Sequence, residues 1–322
     1  MKKVLNIFFI LSITFILFGC NKKQYEIENK TLYFGYYPQS LEKNEDVLLS
    51  LNKKVSNLPS SNNLNGWTDY NYYIDGEVKS FMYYIDIDLD NNGTKDYRGV
   101  YFNEYRPYNA LAISNIDESF QDDNGYNLNN IYFFKYERIK WDILEDSNGS
   151  IFAVTNIIID SQDYYPDFRI DDFSHNGEIG RVNNYKLSNI RKWLNNEFYN
   201  TAFNDKEKNI IKNVEVDNSK ESTSRLDNPY TCENTFDNVF LLSYAEAMKY
   251  YPTLEDKMKK GTDYAKCQGL NVANNDYSHW RLRSPYTNFV GYDTLFNHKG
   301  QLFNKPVANT SYGIRPALCI KK

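Results

Sequence analysis

Acidic side chains at fixed intervals are the first feature of this chain with chemistry in it. Asp88-Leu89-Asp90-Asn91-Asn92-Gly93-Thr94-Lys95-Asp96 has the form DxDxNGxxD. In that spacing, oxygens at loop positions 1, 3, 5 and 9 and a main-chain carbonyl at position 7 converge on Ca²⁺, and a glycine at position 6 permits the sharp turn. Asp88, Asp90, Asn92, the carbonyl of Thr94 and Asp96 are therefore the expected ligands of a structural Ca²⁺. Position 12 is Gly99 rather than a bidentate Glu, so the expected affinity is that of an extracellular structural site, on the order of 10⁻⁴ to 10⁻³ M. Asp86, Asp88 and Asp90 alternate with Ile85, Ile87 and Leu89, which places the acids on one face of a strand and the apolar residues on the other. Without a cation, Asp86, Asp88, Asp90 and Asp96 would crowd like charges. The plainer reading of the same residues is a solvated Asn/Asp turn.

A second group lies in the C-terminal third, where Trp280, Arg281 and Arg283 precede Pro285 and Arg315 precedes Pro316. Guanidinium groups beside aromatic and rigid residues suit a carboxylate or an acidic sugar. The same residues suit stacking on aromatics or pairing with buried acids. Other candidates fall short. Asp122/Asp123 and Asp171/Asp172 are adjacent acids among turn formers, the pattern of solvated loops. His175, His279 and His298 sit in loop settings without a nucleophile partner. No CxxC, HExxH or Gly-rich phosphate loop occurs, and no catalytic residue is assigned.

The front of the chain carries an address. Met1-Lys2-Lys3 precedes an apolar run from Ile7 to Phe18, broken only by Ser12 and Thr14, and then Gly19-Cys20. That is a positive n-region, an h-region and a small-residue cleavage site, and the run is too short for a bilayer core that needs about 20 residues. Leu17-Phe18-Gly19-Cys20 resembles the bacterial lipobox, with Phe18 departing from the usual small residue. The expectation is a signal peptide over 1–19, lipidation at Cys20 and a tether over 20–30, with the protein extracytoplasmic and held to a membrane by its lipid. The alternative is an ordinary secretory signal with an incidental Cys.

Composition agrees with a packed extracellular domain. Hydrophobic residues make up 41% and aromatic residues 16% of the 322 residues, which excludes a disordered chain. A formal charge of -5 excludes a basic nucleic-acid binder. Apart from Cys20, the cysteines are Cys232 and Cys267, in polar settings that flank a helical segment, and Cys319, in an apolar run. An oxidising compartment favours a Cys232–Cys267 disulfide with Cys319 buried and free; the alternative is two separate thiols.

The elements that would position these groups follow from periodicity. Residues 31–131 read as β-rich, with Tyr- and Phe-rich runs between Asn, Asp and Gly. Ile139–Leu144 and Ile151–Val154 flank Asn148-Gly149, a hairpin signal. Ile190, Trp193, Leu194 and Phe198 form a helical stripe. Asn204 with Glu207, and Ser243 with Glu246, open two further helices as capping boxes. Strands, a central helix pair and strands again predict an α+β fold.

Several stretches occur together in order: Gly35-Tyr36-Tyr37-Pro38-Gln39, Ile139-Lys140-Trp141-Asp142-Ile143-Leu144, Ser188-Asn189-Ile190-Arg191-Lys192-Trp193-Leu194-Asn195, Ala202-Phe203, Val239-Phe240-Leu241-Leu242-Ser243, Trp280-Arg281-Leu282-Arg283-Ser284-Pro285 and Gly313-Ile314-Arg315-Pro316-Ala317-Leu318. The set is similar to an uncharacterised bacterial extracellular domain family, a domain of unknown function. Its WxLRSP and GxRPAL elements resemble those of C-type-lectin-like folds, the group that includes the formylglycine-generating enzymes. The resemblance implies a C-type-lectin-like domain over 132–322, to which 31–40 contributes, with the β-rich region up to 131 as an insertion or subdomain. The sugar-coordinating EPN or QPD triplets, the WND signature and the paired copper-binding cysteines have no counterpart here, so neither calcium-dependent lectin activity nor oxidase activity is implied. The resulting expectation is a lipid-anchored, non-catalytic module that binds a glycan or protein ligand, with Trp280, Arg281, Arg283 and Arg315 as candidate contacts. The alternative is an envelope enzyme related to the formylglycine-generating enzymes or a glycan hydrolase.

Overall fold

An Asn-Gly pair ends the longest strand and starts its neighbour. In the computed structural model, which describes residues 24–55, 57–60, 62–74, 76–110, 119–167, 172–175 and 178–322, the strand Ile131–Ser147 turns into Ser150–Thr155. Asn148 and Gly149 have φ of 52° and 70°, the positive values that a tight two-residue hairpin requires and that these residue types adopt at least cost. The expected signal segment, Cys20 and Asp171 lie outside the described residues.

Around this hairpin runs a nine-stranded antiparallel sheet. Its order is Val239–Phe240, Ala317–Lys321, Ser150–Thr155, Ile131–Ser147, Tyr97–Phe102, Met82–Ile87 and Thr68–Asp69, with Thr31–Leu41 pairing along Ile131–Ser147 and Glu26–Glu28 outside it. The strands of the N-terminal region thus extend the same sheet, since Tyr97–Phe102 pairs with Ile131–Ser147 from Tyr97↔Lys135 to Tyr101↔Ile131. A second sheet orders Asp160–Ser161, Gly313–Ile314, Trp280–Pro285, Tyr292–Phe296 and Leu302–Pro306. The fold is α+β, with more strand than helix.

The helical run is built from two adjacent rows. Asn189–Trp193 continues through a π-helical turn, Leu194–Phe198, into Tyr199–Ala202, and the Ser188 hydroxyl caps it by accepting from the Arg191 amide. Ile190, Leu194, Phe198 and Ala202, each four residues apart, are buried in the main core. Phe198 packs on Tyr37, ring centroids 5.2 Å apart. Beyond this run, Gly35 has φ 72°, and a Cβ there would stand 2.6 Å from the Phe203 ring. Only glycine lets the strand Thr31–Leu41 approach so closely in that conformation. Both capping boxes form: Asn204 with Glu207 ahead of Asp205–Lys208, and Ser243 with Glu246 ahead of Tyr244–Tyr250.

The cysteine pairing needs correction. Cys232, Cys267 and Cys319 are all free thiols. Cys267 is buried on the helix Asp263–Cys267 within the apolar core, whereas half-buried Cys232 lies against the main chain of Tyr185 and Lys186. The two are held by different elements, and burial pushes both thiols up, away from the reactive thiolate. Cys319 is free as expected but only half-buried.

Candidate functional site

Alternation along the strand Met82–Ile87 decides which acids are available for a cation. Ile85, Ile87 and Leu89 pack with Leu51 and Phe133 beneath the helix Glu45–Lys54, which leaves the intervening acids on the opposite side. Asp86 does not join the acidic loop. It accepts from Arg98 Nε at 2.7 Å and from the second Arg98 nitrogen at 3.0 Å, and pairs with Lys95 at 2.8 Å. Burial works to raise its carboxyl, but the adjoining Arg98 and Lys95 charges hold it down to about 2. An unfolded aspartate titrates near 3.9, so the stabilisation from this cluster is complete above about pH 4 and disappears as pH falls towards 2. The expected loss is about 2 kcal/mol. Urea unfolding between pH 5 and pH 2.5 checks it, with Asp86→Asn expected to flatten that part of the profile.

The loop itself brings Asp88, Asp90 and Asp96 together, with one carboxylate oxygen of each within 4.8 Å of the others. Gly93 makes the turn at φ 87°. Desolvation opposes ionisation of Asp88, yet the Gly93 and Asn92 amides, donating at 2.7 and 3.0 Å, hold its carboxyl below the usual range. The Asn92 side-chain oxygen accepts from the Thr94 amide at 2.8 Å and from its hydroxyl at 2.5 Å, and the Leu89 amide donates to Asp96 at 2.7 Å. Three of the five expected ligands therefore converge, while Asn92 turns within its own loop.

A cleft of about 530 Å³ lies on the other side of Arg98, within the usual range for small-molecule sites. One wall comes from residues ahead of the long strand: Asp69, Tyr70, Tyr72 and Tyr73 around the edge of the sheet, Tyr84 from Met82–Ile87, and Arg98 from Tyr97–Phe102. Tyr70 and Tyr72 are parallel at 5.5 Å, and Arg98 lies 4.0 Å over the Tyr84 ring. The floor is a polar lattice. Tyr37 donates its hydroxyl to Asp160 at 2.6 Å, the Ser161 amide and the Gln162 side chain donate to the same carboxylate at 2.6 and 3.1 Å, and the Tyr70 and Tyr264 hydroxyls meet at 2.8 Å.

The opposite wall is the second row of the helical run, Asn189, Trp193, Glu197 and Thr201, with Lys192 beside it. In an α-helix a four-residue step overshoots a full turn by about 40°. The π-helical turn at Leu194–Phe198 widens the coil and counters that drift, so the residues keep to one side; such turns recur at functional sites. Trp193 is half-buried, with one face stacked on Phe198 at 5.7 Å. Desolvation raises the carboxyls of Asp160, Asp163 and Glu197. Acids perturbed in this way within an aromatic cleft mark a functional-site candidate. None of the candidate residues expected from motifs lines this cleft. The available signal was the polar and aromatic row 189, 193, 197 and 201 running beside the apolar row 190, 194, 198 and 202.

A family model for a domain of unknown function, DUF6273, matches residues 148–322, more than half of the chain. The chain belongs to the DUF6273 family. No curated protein and no solved structure matches it. The DUF6273 segment supplies the helical wall, Asp160, Asp163 and Tyr264, whereas Tyr37, Asp69 to Tyr73, Tyr84 and Arg98 precede it. The cleft is therefore shared between the DUF6273 segment and the region before it.

Inside the DUF6273 segment, Trp280, Arg281, Arg283 and Arg315 are buried braces rather than an accessible binding surface. Arg281 pairs with Asp293 and donates to the carbonyl of Asn309 at 2.5 Å. Arg283 pairs with Glu246 at 2.5 Å and donates to the Leu241 carbonyl at 2.7 Å. Arg315 lies 4.6 Å over the Trp280 ring, meets Asp142 at 3.3 Å and donates to Tyr251 at 2.9 Å. Trp280 donates its indole N–H to the Lys257 carbonyl at 2.7 Å. These partners satisfy charges that a dry interior would otherwise disfavour, and they hold the WxLRSP and GxRPAL strands in register, with Trp280 opposite Gly313. His279 and His298 lie 5.3 Å apart by ring centroid, but no third metal ligand joins them among the described residues.

Proposed function

We propose that this chain is a membrane-anchored surface lipoprotein whose folded part binds a glycan, without transforming it, in the tyrosine-lined cleft. The observation that carries the reading is the cleft itself: stacked and half-exposed aromatic rings beside hydroxyls, amides and carboxylates. Aromatic faces pack on the apolar side of a sugar ring while the polar groups meet its hydroxyls. At the fold level we read residues 132–322, with 31–40, as C-type-lectin-like. The WxLRSP and GxRPAL elements, Trp280 to Pro285 and Gly313 to Leu318, carry that reading. The anchor rests on the Leu17-Phe18-Gly19-Cys20 element alone, and palmitate labelling that persists in Cys20→Ala would overturn it. Among the described residues no helix is long and apolar enough to cross a membrane.

A glycan and peptide array probed with the purified protein, with and without EDTA, tests the binding reading. Saturable binding to a saccharide class is the expected result, and signal only on peptides, or on nothing, would overturn it. The placement of Asp163 and Glu197 on the walls of one cleft, with burial raising both carboxyls, favours glycan hydrolysis as a second reading, since such chemistry uses a protonated acid with a second carboxylate. Release of new reducing ends from a bound glycan would establish it.

Ca²⁺ at Asp88, Asp90 and Asp96 is proposed as a brace for the loop above Lys54, not as part of the cleft. A cation present at about ten times its dissociation constant adds about 1.4 kcal/mol. Millimolar Ca²⁺ should therefore raise Tm by a few degrees, an effect removed by EDTA and by Asp90→Asn. An unchanged Tm in metal-stripped protein titrated with Ca²⁺ would dismiss the brace.

A further inference from the structure

The cleft has an uneven charge inventory. Arg98 faces it, but its guanidinium already donates two hydrogen bonds to Asp86 and lies over the Tyr84 ring. Asp160 is closed off beneath Tyr37, Ser161 and Gln162, and Asp69 accepts from the Asn71 amide at 2.7 Å. Asp163 and Glu197 remain on the walls, and among the described residues neither forms an ion pair or accepts a hydrogen bond from another side chain. Lys192 is the other cation lining the space, and it is exposed on the rim. Two unengaged carboxylates among Tyr70, Tyr73 and Trp193 form a negative, aromatic-walled space. Carboxylates pair with cations, and aromatic faces attract cations through their ring quadrupoles.

Building on the glycan reading of this cleft, we propose that its ligand carries a protonated amine, as in an oligosaccharide of hexosamines with free amino groups, and that Asp163 and Glu197 receive that amine. A neutral sugar would use the aromatic walls but leave both carboxylates without a partner, and an acidic sugar would be repelled by them. Arg106 and Arg281 lie near enough to pull the Asp163 carboxyl down, yet desolvation still raises it. That is the condition of an acid short of positive charge, which a bound ammonium group would relieve.

Calorimetric titration of the purified full-length protein with a β-1,4-linked glucosamine tetramer, its N-acetylated counterpart and the corresponding glucose tetramer separates the possibilities. The glucosamine tetramer is expected to bind about tenfold or more tightly than the other two, the effect of one partly desolvated ion pair. Glu197→Gln, on the rim where no fold contact depends on its charge, should shrink that preference, as should the near-isosteric Asp163→Asn. Equal or tighter binding of the acetylated or neutral tetramer would overturn the amine inference while leaving the glycan reading in place. Failure of all three, together with an array that yields no saccharide, would overturn both.

Discussion

Asp293→Ala will cost about 3–5 kcal/mol of folding stability, and Arg281→Met will cost less. The two side chains are an ion pair at 0% exposure each, so a symmetric loss would be the simple expectation. The chemistry is not symmetric. Removing Asp293 leaves a guanidinium that cannot lose its proton without its ion-pair partner, facing main-chain carbonyls, the Tyr312 ring 5.3 Å away and the charge of Asp163, with which it forms no ion pair. Removing Arg281 leaves a carboxyl that burial already pushes up to about 6, against the pull of the arginine. That acid can take a proton and stay in place uncharged. The double substitution Arg281→Met with Asp293→Leu should recover much of the Asp293→Ala loss, because well-packed apolar residues often replace a buried pair at little net cost. Urea unfolding of the three variants checks the order. Equal losses for the single variants, with an additive double, would contradict the argument. For a domain with a total stability of about 5–15 kcal/mol, the larger loss brings the protein close to unfolding.

On the proposed reading of the cleft as a saccharide site, Trp193→Ala will weaken binding by about 10- to 100-fold, roughly 1.4–2.8 kcal/mol, with a smaller effect on folding. Trp193 stacks on Phe198 with one face and lines the cleft with the rest. Its removal therefore takes away the broadest platform in the site while the row Ile190, Leu194, Phe198 and Ala202 keeps the helix in place. Trp193→Phe should retain most of the affinity. Phe236→Ala, at a 62% exposed ring outside the cleft, should change nothing. Titration against the best saccharide from the array, alongside thermal melts, distinguishes lost stacking from lost structure. Unchanged affinity in a folded Trp193→Ala protein would place the binding site elsewhere.

Local chemistry was readable wherever one short segment decides the outcome. The Asn148-Gly149 turn and the two capping boxes depend on neighbours within a few residues, and each takes its expected form; of the expected stripe, Ile190, Leu194 and Phe198 reach the core while Trp193 turns to the cleft, and the strand carrying Asp86 ends at Ile87, ahead of Asp88 and Asp90. Long-range partnership was not readable. Arg281 and Asp293 meet because the strands Trp280–Pro285 and Tyr292–Phe296 pair with a bulge, a register that spacing does not reveal. Cys232 and Cys267 share polar surroundings in sequence, yet the second faces the core from a short helix. The cleft was the least accessible feature of all. Its tyrosines, carboxylates and arginine come from segments between Tyr37 and Tyr264, and each alone reads as an ordinary strand or helix residue.

The division of the cleft between the matched segment and the chain before it bears on how the protein can be handled. A fragment trimmed to residues 148–322 would lack Ile131–Ser147, the hydrogen-bonded neighbour of Ser150–Thr155 from Trp141↔Thr155 to Ser147↔Ser150. Its sheet would then present bare amides and carbonyls along an apolar strand, a template for self-association. Half of the cleft would be missing at the same time, so precipitation of such a fragment, or its silence in a screen, would describe the scissors rather than the protein.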